Sequence, residues 1–375
     1  MTADLGALRE RFPRVAISHE WLTIPGGSEK VVLQVLELFP DADIYTSVYD
    51  PDPWPEAIRR ERVHTSFLNR IPGATRIYPR LLPLMNAAFE SFDLSGYDLV
   101  LSSNHACAKN VITPPGTHHV CYCHTPMRYV WDPGFFAGEQ LGAAERLLLP
   151  LLIGRLRRQD ALASSRPDVF VANSTHVAAR IEKYYRRESY VIHPPVDVNR
   201  FRAIERRPSD YYLFLGRLVP YKRPDLAIDA CQQLGRRLKV VGGGRANDQL
   251  TRNLGPDVEF LGELDDNALA GALAGARALL FPGEEDFGIV PVEAQAAGVP
   301  VIAYSYSGAR DSVLDGVSGV LFDEQSTDGL AAAIEQFERM SFSEEDVRNN
   351  AGRFSSEDFR GRMATLLSEL QPAAA

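Results

Sequence analysis

Short apolar runs typical of β-strands alternate with helical patterns along nearly the whole chain, and this alternation constrains the fold more than any other feature. In the first half the runs are VAIS, ADIYTSVY, YDLVLSS, HVCYC and VFVAN; in the second they are YYLFLG, LKVVGG, VEFLG, ARALLFP, VPVIAY and GVLF. Strands that alternate with helices predict parallel sheets covered by helices on both faces. Each half is therefore expected to form a doubly wound α/β domain.

Length and proline content divide the chain. At 375 residues it is longer than one hydrophobic core usually serves, so two domains are expected. In VIHPPVDVNRF, the pair Pro194 and Pro195 forbids helix and favours an extended crossing. We predict a first domain over residues 1–195, a second over 196–353, and a last helix with its tail over 354–375.

Charge and hydropathy exclude some classes of function. A formal net charge of -9 gives no general attraction to nucleic acid, which binds basic surfaces. The first residues, MTADLGALRERFPRVAI, lack an apolar run behind a basic segment, and no run approaches the length of a membrane-spanning helix. We expect a cytoplasmic protein that does not bind nucleic acid.

The segment of residues 141–160, LGAAERLLLPLLIGRLRRQD, is rich in leucine and presents Arg155, Arg157 and Arg158. One interpretation is an amphipathic surface that rests on an acidic membrane. The other is a core helix with a solvated basic end. The sequence leaves both open, so peripheral contact with the inner face of the plasma membrane is one expectation.

The stretch HHVCYCHTP places His119, Cys121, Cys123 and His124 close together, which raises the alternative of a metal site. Structural zinc sites prefer two to four residues between cysteines. VCYC alternates like a strand, which would send both cysteines to one buried face, and cysteine is commonly buried. We predict core cysteines and no metal.

Two cations follow the strand YYLFLG. Arg217 and Lys222 stand five positions apart in GRLVPYKRPD. Ligands of open α/β sheets bind at the carboxyl ends of strands, and two cations on one such loop suit a diphosphate, to which Arg offers a planar fork and Lys a point charge. A solvated pair on a loop is the plainer alternative.

Two carboxylates surround a glycine-containing turn in PGEEDFGIVPVEAQAAG. Glu285 and Glu293 stand eight positions apart, and Gly288 and Ile289 lie between them at the expected start of a helix. Because Pro291 suits the first turn of a helix, the amides at Gly288 and Ile289 are expected to form an anion site. The two carboxylates would then bind neutral hydroxyl groups on either side of a phosphate.

The loops after strands of the first half are less specific. In HEWLTIPGGSEKVV, Gly26 and Gly27 allow close approach of the backbone to a ligand, and Ser28 is a candidate N-cap, although a tight turn explains the glycines equally well. His124 ends the strand HVCYC, where it serves either polar chemistry or a turn. The G-x-G-x-x-G dinucleotide fingerprint is absent here.

Together these motifs resemble glycosyltransferase family 4, whose members are retaining enzymes of the GT-B fold with two Rossmann-like domains facing each other across a cleft. GRLVPYK and EEDFGIVPVE look like the family's Arg/Lys pair and its E-x7-E motif. GGSEK, CYCHTPMRYVWD, VANS and VIHPPVD resemble a branch of mannosyltransferases of O-antigen and surface-polysaccharide synthesis. The resemblance covers nearly the whole chain and implies a final helix that crosses back onto the first domain.

The resemblance implies a role for each matching residue. The donor would be GDP-mannose, transferred without metal or other cofactor to a glycan acceptor, with a polyprenyl-diphosphate-linked saccharide as the candidate. Catalytic roles would fall to His124 beside the reacting sugar, to Arg217 and Lys222 at the diphosphate, and to Glu285 at the sugar hydroxyls. Donor binding would fall to Gly27, Ser174, Gly288, Ile289 and Glu293, the last at the ribose.

Other interpretations remain open. UDP or another nucleotide is the first alternative for the donor. A metal-dependent transferase needs an Asp-x-Asp after a strand, and Asp41 with Asp43 or Asp50 with Asp52 offer one, although proline-rich turns explain both pairs. A nonenzymatic partner in polysaccharide assembly would keep the fold without turnover, and a sugar phosphorylase or epimerase would share it.

Overall fold

The computed structural model describes residues 4–54, 56, 58–132, 143–244 and 254–371. The chain divides into two compact units. The first consists of Met1–Pro195 with Phe359–Ala375, and the second of Val196–Asp358.

The first unit is built on a seven-stranded sheet in which every pair of neighbouring strands is parallel. Its strands are β1 (Val15–His19), β2 (Asp43–Thr46), β3 (Val63–Thr65), β4 (Leu99–Asn104), β5 (His118–Cys123), β6 (Val169–Ala172) and β7 (Tyr190–Val191). Their order is β3-β2-β1-β4-β5-β6-β7. The order reverses direction between β1 and β4, which makes the carboxyl ends of these two strands the switch point where ligands of doubly wound sheets bind.

Helices connect these strands. They are α1 (Leu5–Arg11), α2 (Gly27–Leu38), α3 (Ala74–Ile77), α4 (Leu82–Glu90), α5 (Arg128–Trp131), α6 (Ala143–Ala163) and α7 (Thr175–Tyr185), with 3₁₀ turns at Arg60–Arg62, Phe67–Arg70, Tyr78–Leu81 and Ala108–Asn110.

The two faces of the first sheet explain the alternation seen in the sequence. Val120 and Tyr122 of β5 pack into the core that also holds α2, whereas Cys121 and Cys123 pack on the opposite face beside α7. Since successive residues of a strand point to opposite faces, both cysteines share one buried face, which confirms the prediction.

The second unit is built on a six-stranded sheet, again with parallel neighbours throughout. Its strands are β8 (Tyr211–Leu215), β9 (Arg237–Val241), β10 (Val258–Gly262), β11 (Ala276–Phe281), β12 (Val301–Tyr304) and β13 (Gly319–Phe322), in the order β10-β9-β8-β11-β12-β13. The switch point lies between β8 and β11. Both sheets therefore confirm the predicted doubly wound class.

The helices of the second unit are α8 (Val198–Arg202), α9 (Pro224–Leu234), α10 (Asp266–Gly275), α11 (Ile289–Ala296), α12 (Ala309–Ser312), α13 (Thr327–Glu338) and α14 (Glu344–Ala351), with 3₁₀ turns at Pro220–Lys222 and Gly352–Phe354. Helices cover both faces. Leu213 packs in the core that includes α11, and Phe214 packs in the core that includes α9 and α13.

The last helix, α15 (Ser356–Glu369), belongs mostly to the first unit. Phe359, Met363 and Leu367 are spaced four residues apart, are each at most 1% exposed, and lie in the same core as α2 and β1. Such spacing places three apolar side chains on one face of a helix. The burial of that face, worth roughly 1.5–3 kcal/mol per large side chain, fixes the end of the chain on the first unit.

Candidate functional site

The second unit places its predicted site residues at one point of its sheet. β8 and β11 are neighbours, and the loops that leave their carboxyl ends are residues 216–223 and 282–288. The first loop carries Arg217 and Lys222. The second carries Glu285 and Gly288, and it leads into α11 with Ile289 and Glu293. Six residues proposed from two separate motifs are thus gathered at the switch point of the second sheet.

Lys222 and Glu285 form the closest contact between these loops. The Lys222 Nζ donates to Glu285 Oε1 at 2.6 Å, and the two side chains are 11% and 17% exposed. The backbones also touch, since a Cβ on Gly283 would lie 2.7 Å from the Cα of Lys222. The two loops therefore act as one structural element, with a cation and an anion held together beneath the surface.

Arg217 lies on the same loop as Lys222 but reaches into solvent. It is exposed, and its guanidinium donates to the Tyr221 hydroxyl at a long 3.4 Å. A guanidinium held only this weakly by the protein keeps its planar fork available for a carboxylate or phosphate. Arg217 and Lys222 together supply two positive charges at the end of β8.

The start of α11 provides backbone donors. Gly288 is its N-cap and has a φ of 85°, a left-handed conformation that glycine adopts readily, and no side chain caps the helix. The first turn of an α-helix leaves amides without intrahelical partners at the positive end of the helix dipole. The helix start therefore suits an anion, and Glu293 lies one turn further along it.

A third loop supports Glu285 from behind. The amide of Gly308 donates to the carbonyl oxygen of Glu285 at 2.8 Å. A Cβ at position 308 would lie 2.2 Å from the carbonyl oxygen of Asp286 and 2.4 Å from the Cα of Phe287. Only a residue without a side chain permits this approach. The sequence motifs did not include Gly308, because its contact joins two loops that are distant in the chain.

The switch point of the first sheet contains the glycine pair. Gly26 is the N-cap of α2 and Gly27 is its first residue, so the prediction of Ser28 as N-cap was wrong. Ser28 lies within the helix, where its hydroxyl donates to the Glu29 carboxylate at 2.9 Å. That carboxylate also pairs with His19 Nε2 at 3.2 Å. Burial, the largest single effect, raises the pKa of Glu29, but the hydrogen bond and charge of His19, a backbone hydrogen bond and the Ser28 hydroxyl together outweigh it and lower the pKa to about 2.

His124 directly follows β5 and is partly exposed. Its Nε2 lies 2.8 Å from Ser103 Oγ, at the end of neighbouring β4. Burial of the ring, with smaller contributions from His105 and His19, lowers the pKa of His124 to about 3. The imidazole is therefore neutral near pH 7, and it acts there as a hydrogen-bonding group rather than a cation.

Ser174 lies at the carboxyl end of β6 and is the N-cap of α7. Its hydroxyl is buried and accepts from the amide of Val177 at 3.0 Å. His124, Gly27 and Ser174 therefore lie at the same edge of the first sheet but after three different strands. Among these three, only Gly27 lies at the switch point itself.

Sequence reasoning missed a buried carboxylate at this edge. Glu20, which follows β1, is fully buried and accepts from four consecutive backbone amides, those of residues 105–108, at 2.6–3.0 Å. Such a run of amides is a nest for an anion. The position of Glu20 directly after a buried parallel strand was a signal for a buried carboxylate. The amides that bind it are more than eighty positions away in the chain, so the sequence did not identify them.

The described ranges contain neither a candidate metal site nor a helix that could span a membrane. There, no cluster of three or more His, Cys, Asp or Glu side chains is arranged to hold a metal, and all four cysteines are free and buried. No helix within these ranges is long and apolar enough to cross a bilayer. Residues 141–142 of the leucine-rich segment, and the side chains of 143–148, lie outside the described residues.

Solved structures share the fold. The Anabaena protein Alr3699/HepE in complex with UDP superposes with a TM-score of 0.67 at 19% identity, over 95% of this chain and 100% of that chain. The lipopolysaccharide outer core galactosyltransferase WaaB in its apo form gives 0.69 at 17% identity, with the same coverage. At these identities the likeness concerns the fold alone.

Curated relatives share part of their length. The D-inositol 3-phosphate glycosyltransferase of Geodermatophilus obscurus is 34% identical over 224 residues, which is 51% of this chain and 50% of that protein. The protein of the same name from Mycobacterium marinum is 33% identical over 210 residues, 49% of this chain and 43% of that protein. The chain thus spans about half the length of the curated relatives it matches.

Family models match both units. The model described as Glycosyltransferase Family 4 matches residues 25–200, and the model described as Glycosyl transferases group 1 matches residues 197–354. The two matches meet where the structure divides the chain and together cover most of it. With the fold of both sheets, they place this chain among the glycosyltransferases of the family 4 type with the GT-B fold.

Proposed function

We propose that this protein is a retaining glycosyltransferase that moves a sugar from a nucleoside diphosphate to a glycan acceptor. The observation that carries the proposal is the switch point of the second sheet. There the exposed Arg217, the partly buried pair of Lys222 with Glu285, and the uncapped start of α11 meet within two adjoining loops. Two cations with free helix amides suit a diphosphate, and a carboxylate beside them suits sugar hydroxyl groups.

The chemistry follows from where charge develops. As the bond between the anomeric carbon and the diphosphate oxygen breaks, negative charge grows on the leaving group and positive charge on the sugar ring. Arg217, Lys222 and the amides at Gly288 and Ile289 stabilise the departing diphosphate. The acceptor oxygen bonds to the anomeric carbon on the same face, and its proton passes to the departing phosphate oxygen, so the configuration is retained and no protein base or metal is needed.

The carboxylates have separate roles in this proposal. Glu285 binds hydroxyl groups of the transferred sugar, and Glu293 binds those of the ribose. His124 is neutral near pH 7 because of its lowered pKa, and it forms a hydrogen bond with the reacting sugar. Gly27 and Ser174 contribute to the donor site through the backbone at the ends of β1 and β6.

For the donor we propose GDP-mannose, on the strength of the first-half motifs GGSEK, CYCHTPMRYVWD and VIHPPVD. A second candidate is a UDP-sugar. The Anabaena neighbour with the same fold was crystallised with UDP and with UDP-glucose, which favours that candidate. The curated relatives are named as glycosyltransferases of D-inositol 3-phosphate, so inositol phosphate belongs among the acceptors to be tested.

A thermal-shift screen tests the donor. GDP, UDP, ADP and dTDP, each with a sugar conjugate, are added with and without EDTA, because a ligand that binds only the folded state raises the melting temperature. We expect a selective shift with GDP and GDP-mannose that EDTA leaves unchanged. A selective shift with UDP would indicate a UDP-sugar donor in place of GDP-mannose. A shift abolished by EDTA would show that donor binding needs a metal ion. No shift with any nucleotide would favour a nonenzymatic role.

Peripheral membrane contact is the other part of the proposal. On α6, Leu151 and Leu162 are 72% and 73% exposed, and Arg155 and Arg158 are exposed between them. Positions 151, 155, 158 and 162 follow helical spacing and share one face of the helix. Exposed leucines flanking arginines suit an anionic lipid surface, which fits a polyprenyl-linked acceptor.

Vesicle flotation tests this contact. We expect binding to vesicles of phosphatidylcholine with phosphatidylglycerol, and weaker binding to phosphatidylcholine alone. The variant Arg155→Gln with Arg158→Gln should lose the preference. Arg157→Gln serves as the control and should keep the preference for anionic vesicles. The Nε of Arg157 donates to the carbonyl of Val130 at 2.8 Å, so its guanidinium is partly engaged by the protein. Unchanged flotation of the double variant would leave α6 as an ordinary surface helix.

A further inference from the structure

Three aromatic rings meet at the switch point of the first sheet. Trp21 follows β1, His105 follows β4, and Tyr78 begins a 3₁₀ turn. The Trp21 ring lies 4.8 Å from that of Tyr78, tilted by 40°, and 4.7 Å from that of His105, edge to face at 87°. All three side chains are partly exposed. We call these three residues the aromatic platform.

Glu20 fixes the platform in place. Its carboxylate binds the four amides of residues 105–108, and it directly precedes Trp21 in the chain. One buried anion therefore ties the loop after β4 to the loop after β1. The cost of burying this charge is offset by charge-assisted hydrogen bonds from backbone groups. A loop held rigidly by four hydrogen bonds to one buried carboxylate suits a binding site that must be preorganised.

The platform lies beside polar groups suited to a hydroxylated ligand. The rings of His105 and His124 are 6.4 Å apart. At the same edge, Thr23 Oγ1 and Asn104 Nδ2 are buried and have no hydrogen-bond partner within the described residues. Buried polar atoms are normally paired, so these two atoms point to a ligand or its bound water as the missing partner.

We propose that Trp21, with Tyr78 and His105, is the stacking surface for a sugar ring of the acceptor. Binding sites combine aromatic surface with a few placed polar groups; a pyranose presents apolar C–H groups on its faces and hydroxyls at its rim. The aromatic platform would pack against the C–H groups of the sugar ring, and the neighbouring polar groups would form hydrogen bonds with its hydroxyls. This inference rests on the proposed function, and it assigns the acceptor saccharide to named residues of the first unit.

The platform takes a sugar rather than the nucleotide base. A base would also stack on an indole ring, but the cations and helix amides proposed to bind the diphosphate lie on the second unit, and the first unit contributes Gly27 and Ser174 to the proposed donor site through backbone rather than through an aromatic ring. On the first unit, the His105 ring of the platform lies 6.4 Å from that of His124, which the proposed function assigns to the reacting sugar. The competing assignment, stacking of the donor base, is an outcome of the test.

Saturation-transfer NMR tests the platform. The 375-residue chain, with the nucleoside diphosphate that stabilises it, is mixed with methyl α-mannopyranoside, methyl α-glucopyranoside or methyl α-galactopyranoside as the acceptor probe. We expect at least one glycoside to show saturation at its ring C–H protons. Trp21→Ala should weaken that binding by roughly three- to tenfold, and Trp21→Phe should restore most of it.

Controls separate the possible failures. Tyr190→Ala removes a 58% exposed aromatic side chain from the edge strand β7 and should change nothing. The nucleotide-induced thermal shift of Trp21→Ala should equal that of the parent, which also shows that the variant folds.

The results distinguish failure of the proposed function from failure of the acceptor platform. If the parent shows no nucleotide shift, the proposed function fails. If the shift is present but no glycoside binds, or glycosides bind Trp21→Ala as tightly as the parent, the acceptor platform is wrong. Loss of the nucleotide shift in a folded Trp21→Ala would assign the platform to the donor base and overturn the inference.

Discussion

The Lys222 ammonium donates to the Glu285 carboxylate at 2.6 Å, across the two loops that end β8 and β11. In the proposed function these side chains have different ligands, the diphosphate for Lys222 and the sugar hydroxyls for Glu285. Without ligand each neutralises the other. A diphosphate that enters this site must therefore draw the ammonium away from the carboxylate or share it.

Glu285→Gln is expected to separate nucleotide binding from transfer. Removal of the carboxylate leaves the charge of Lys222 unopposed, so affinity for the nucleoside diphosphate should rise by several-fold, consistent with a partly exposed ion pair. Transfer should fall by roughly a hundred- to a thousand-fold, because a group that acts on the sugar in the transition state is lost. Calorimetry with the nucleoside diphosphate and initial rates with the donor measure the two effects.

Two variants control this experiment. Glu284→Gln changes the exposed neighbouring carboxylate and should leave both quantities near the parent values. Lys222→Ala should weaken nucleotide binding, since it leaves Glu285 to repel the diphosphate. Weaker nucleotide binding by Glu285→Gln than by the parent would contradict the proposed division of roles.

Gly308→Ala tests whether close packing of loops holds Glu285. Gly308 has a φ of -62°, which alanine adopts without strain, so the added methyl group is opposed by its close contacts, 2.2 Å to the Asp286 carbonyl oxygen and 2.4 Å to the Cα of Phe287. The loop of Glu285 must shift. We expect lower stability by roughly 1–3 kcal/mol and a clear loss of transfer, measured by urea denaturation and initial rates.

Gly271→Ala is the matched control for that variant. Gly271 lies within α10, and a Cβ there would meet nothing within 4 Å. Because alanine favours helix over glycine, stability should stay or rise slightly and transfer should not change. If both substitutions behave alike, the packing of Gly308 has no special role.

Much of the fold follows from the sequence because most strands are buried on both faces and appear as apolar runs. β3 (Val63–Thr65) and β7 (Tyr190–Val191) are the strands that no run predicts. Each lies at an edge of the first sheet, is at most three residues long, and is at most partly buried. An edge strand this short carries too few buried side chains to leave a pattern.

The site is predictable where its residues follow one another in the chain. Arg217 with Lys222, and Glu285 with Gly288, each lie on one loop after one strand, so position in the motif fixes position in the fold. Contacts between separate loops leave no such trace. Glu20 binds amides more than eighty positions away, and Ser28 was misread as a cap because Gly26 begins the helix without a side chain.

Acid should destabilise the first unit through His119. Its burial, with a smaller effect of Arg166, lowers the pKa of this imidazole from 6.5 to about 3. Between these pH values the unfolded chain binds a proton that the folded chain does not, so stability falls as pH falls, by up to about 1.4 kcal/mol per pH unit. Urea denaturation at a series of pH values measures this slope.

The window between pH 6.5 and 4.5 isolates the histidines, because Glu29 adds its own acid sensitivity only below its unfolded pKa of 4.5. His119→Asn should flatten the slope in this window, with the remaining slope from His124 and His118, whose pKa values are also lowered by burial. Ser102→Ala removes the hydrogen bond to His119 but keeps the imidazole, so it should lower stability and preserve the slope. An unchanged slope in His119→Asn would contradict this account.

Asp160→Asn should destabilise the first unit strongly. Lys109 and Asp160 are both fully buried and paired, and Asp160 also accepts from Trp131 Nε1 at 2.6 Å and from the Tyr185 hydroxyl at 2.8 Å. Burial opposes the charge of Lys109, but Asp160 outweighs this and raises the lysine pKa. Without the carboxylate the ammonium is buried unpaired, at a cost of roughly 3–5 kcal/mol. Chemical denaturation at pH 7 measures the loss.

The pH dependence of that loss identifies its cause. In Asp160→Asn the lysine pKa should fall below its unfolded value of about 10.4. Between those two values the unfolded chain binds the extra proton, so the variant should gain stability as pH rises. In the parent, where the lysine pKa is raised, stability instead falls above the unfolded value. The difference in the free energy of unfolding between the parent and Asp160→Asn should therefore become smaller from pH 7 towards pH 10.

Two further variants complete the test. Lys109→Met in the Asp160→Asn background removes the unpaired charge, while the introduced amide side chain keeps an oxygen for Trp131 and Tyr185, so part of the lost stability should return. Asp210→Asn breaks an exposed pair with Arg237 and should have little effect, as surface ion pairs contribute little. If Lys109→Met gives no recovery, the loss comes from the hydrogen bonds of Asp160, and the buried charge of Lys109 is not its cause.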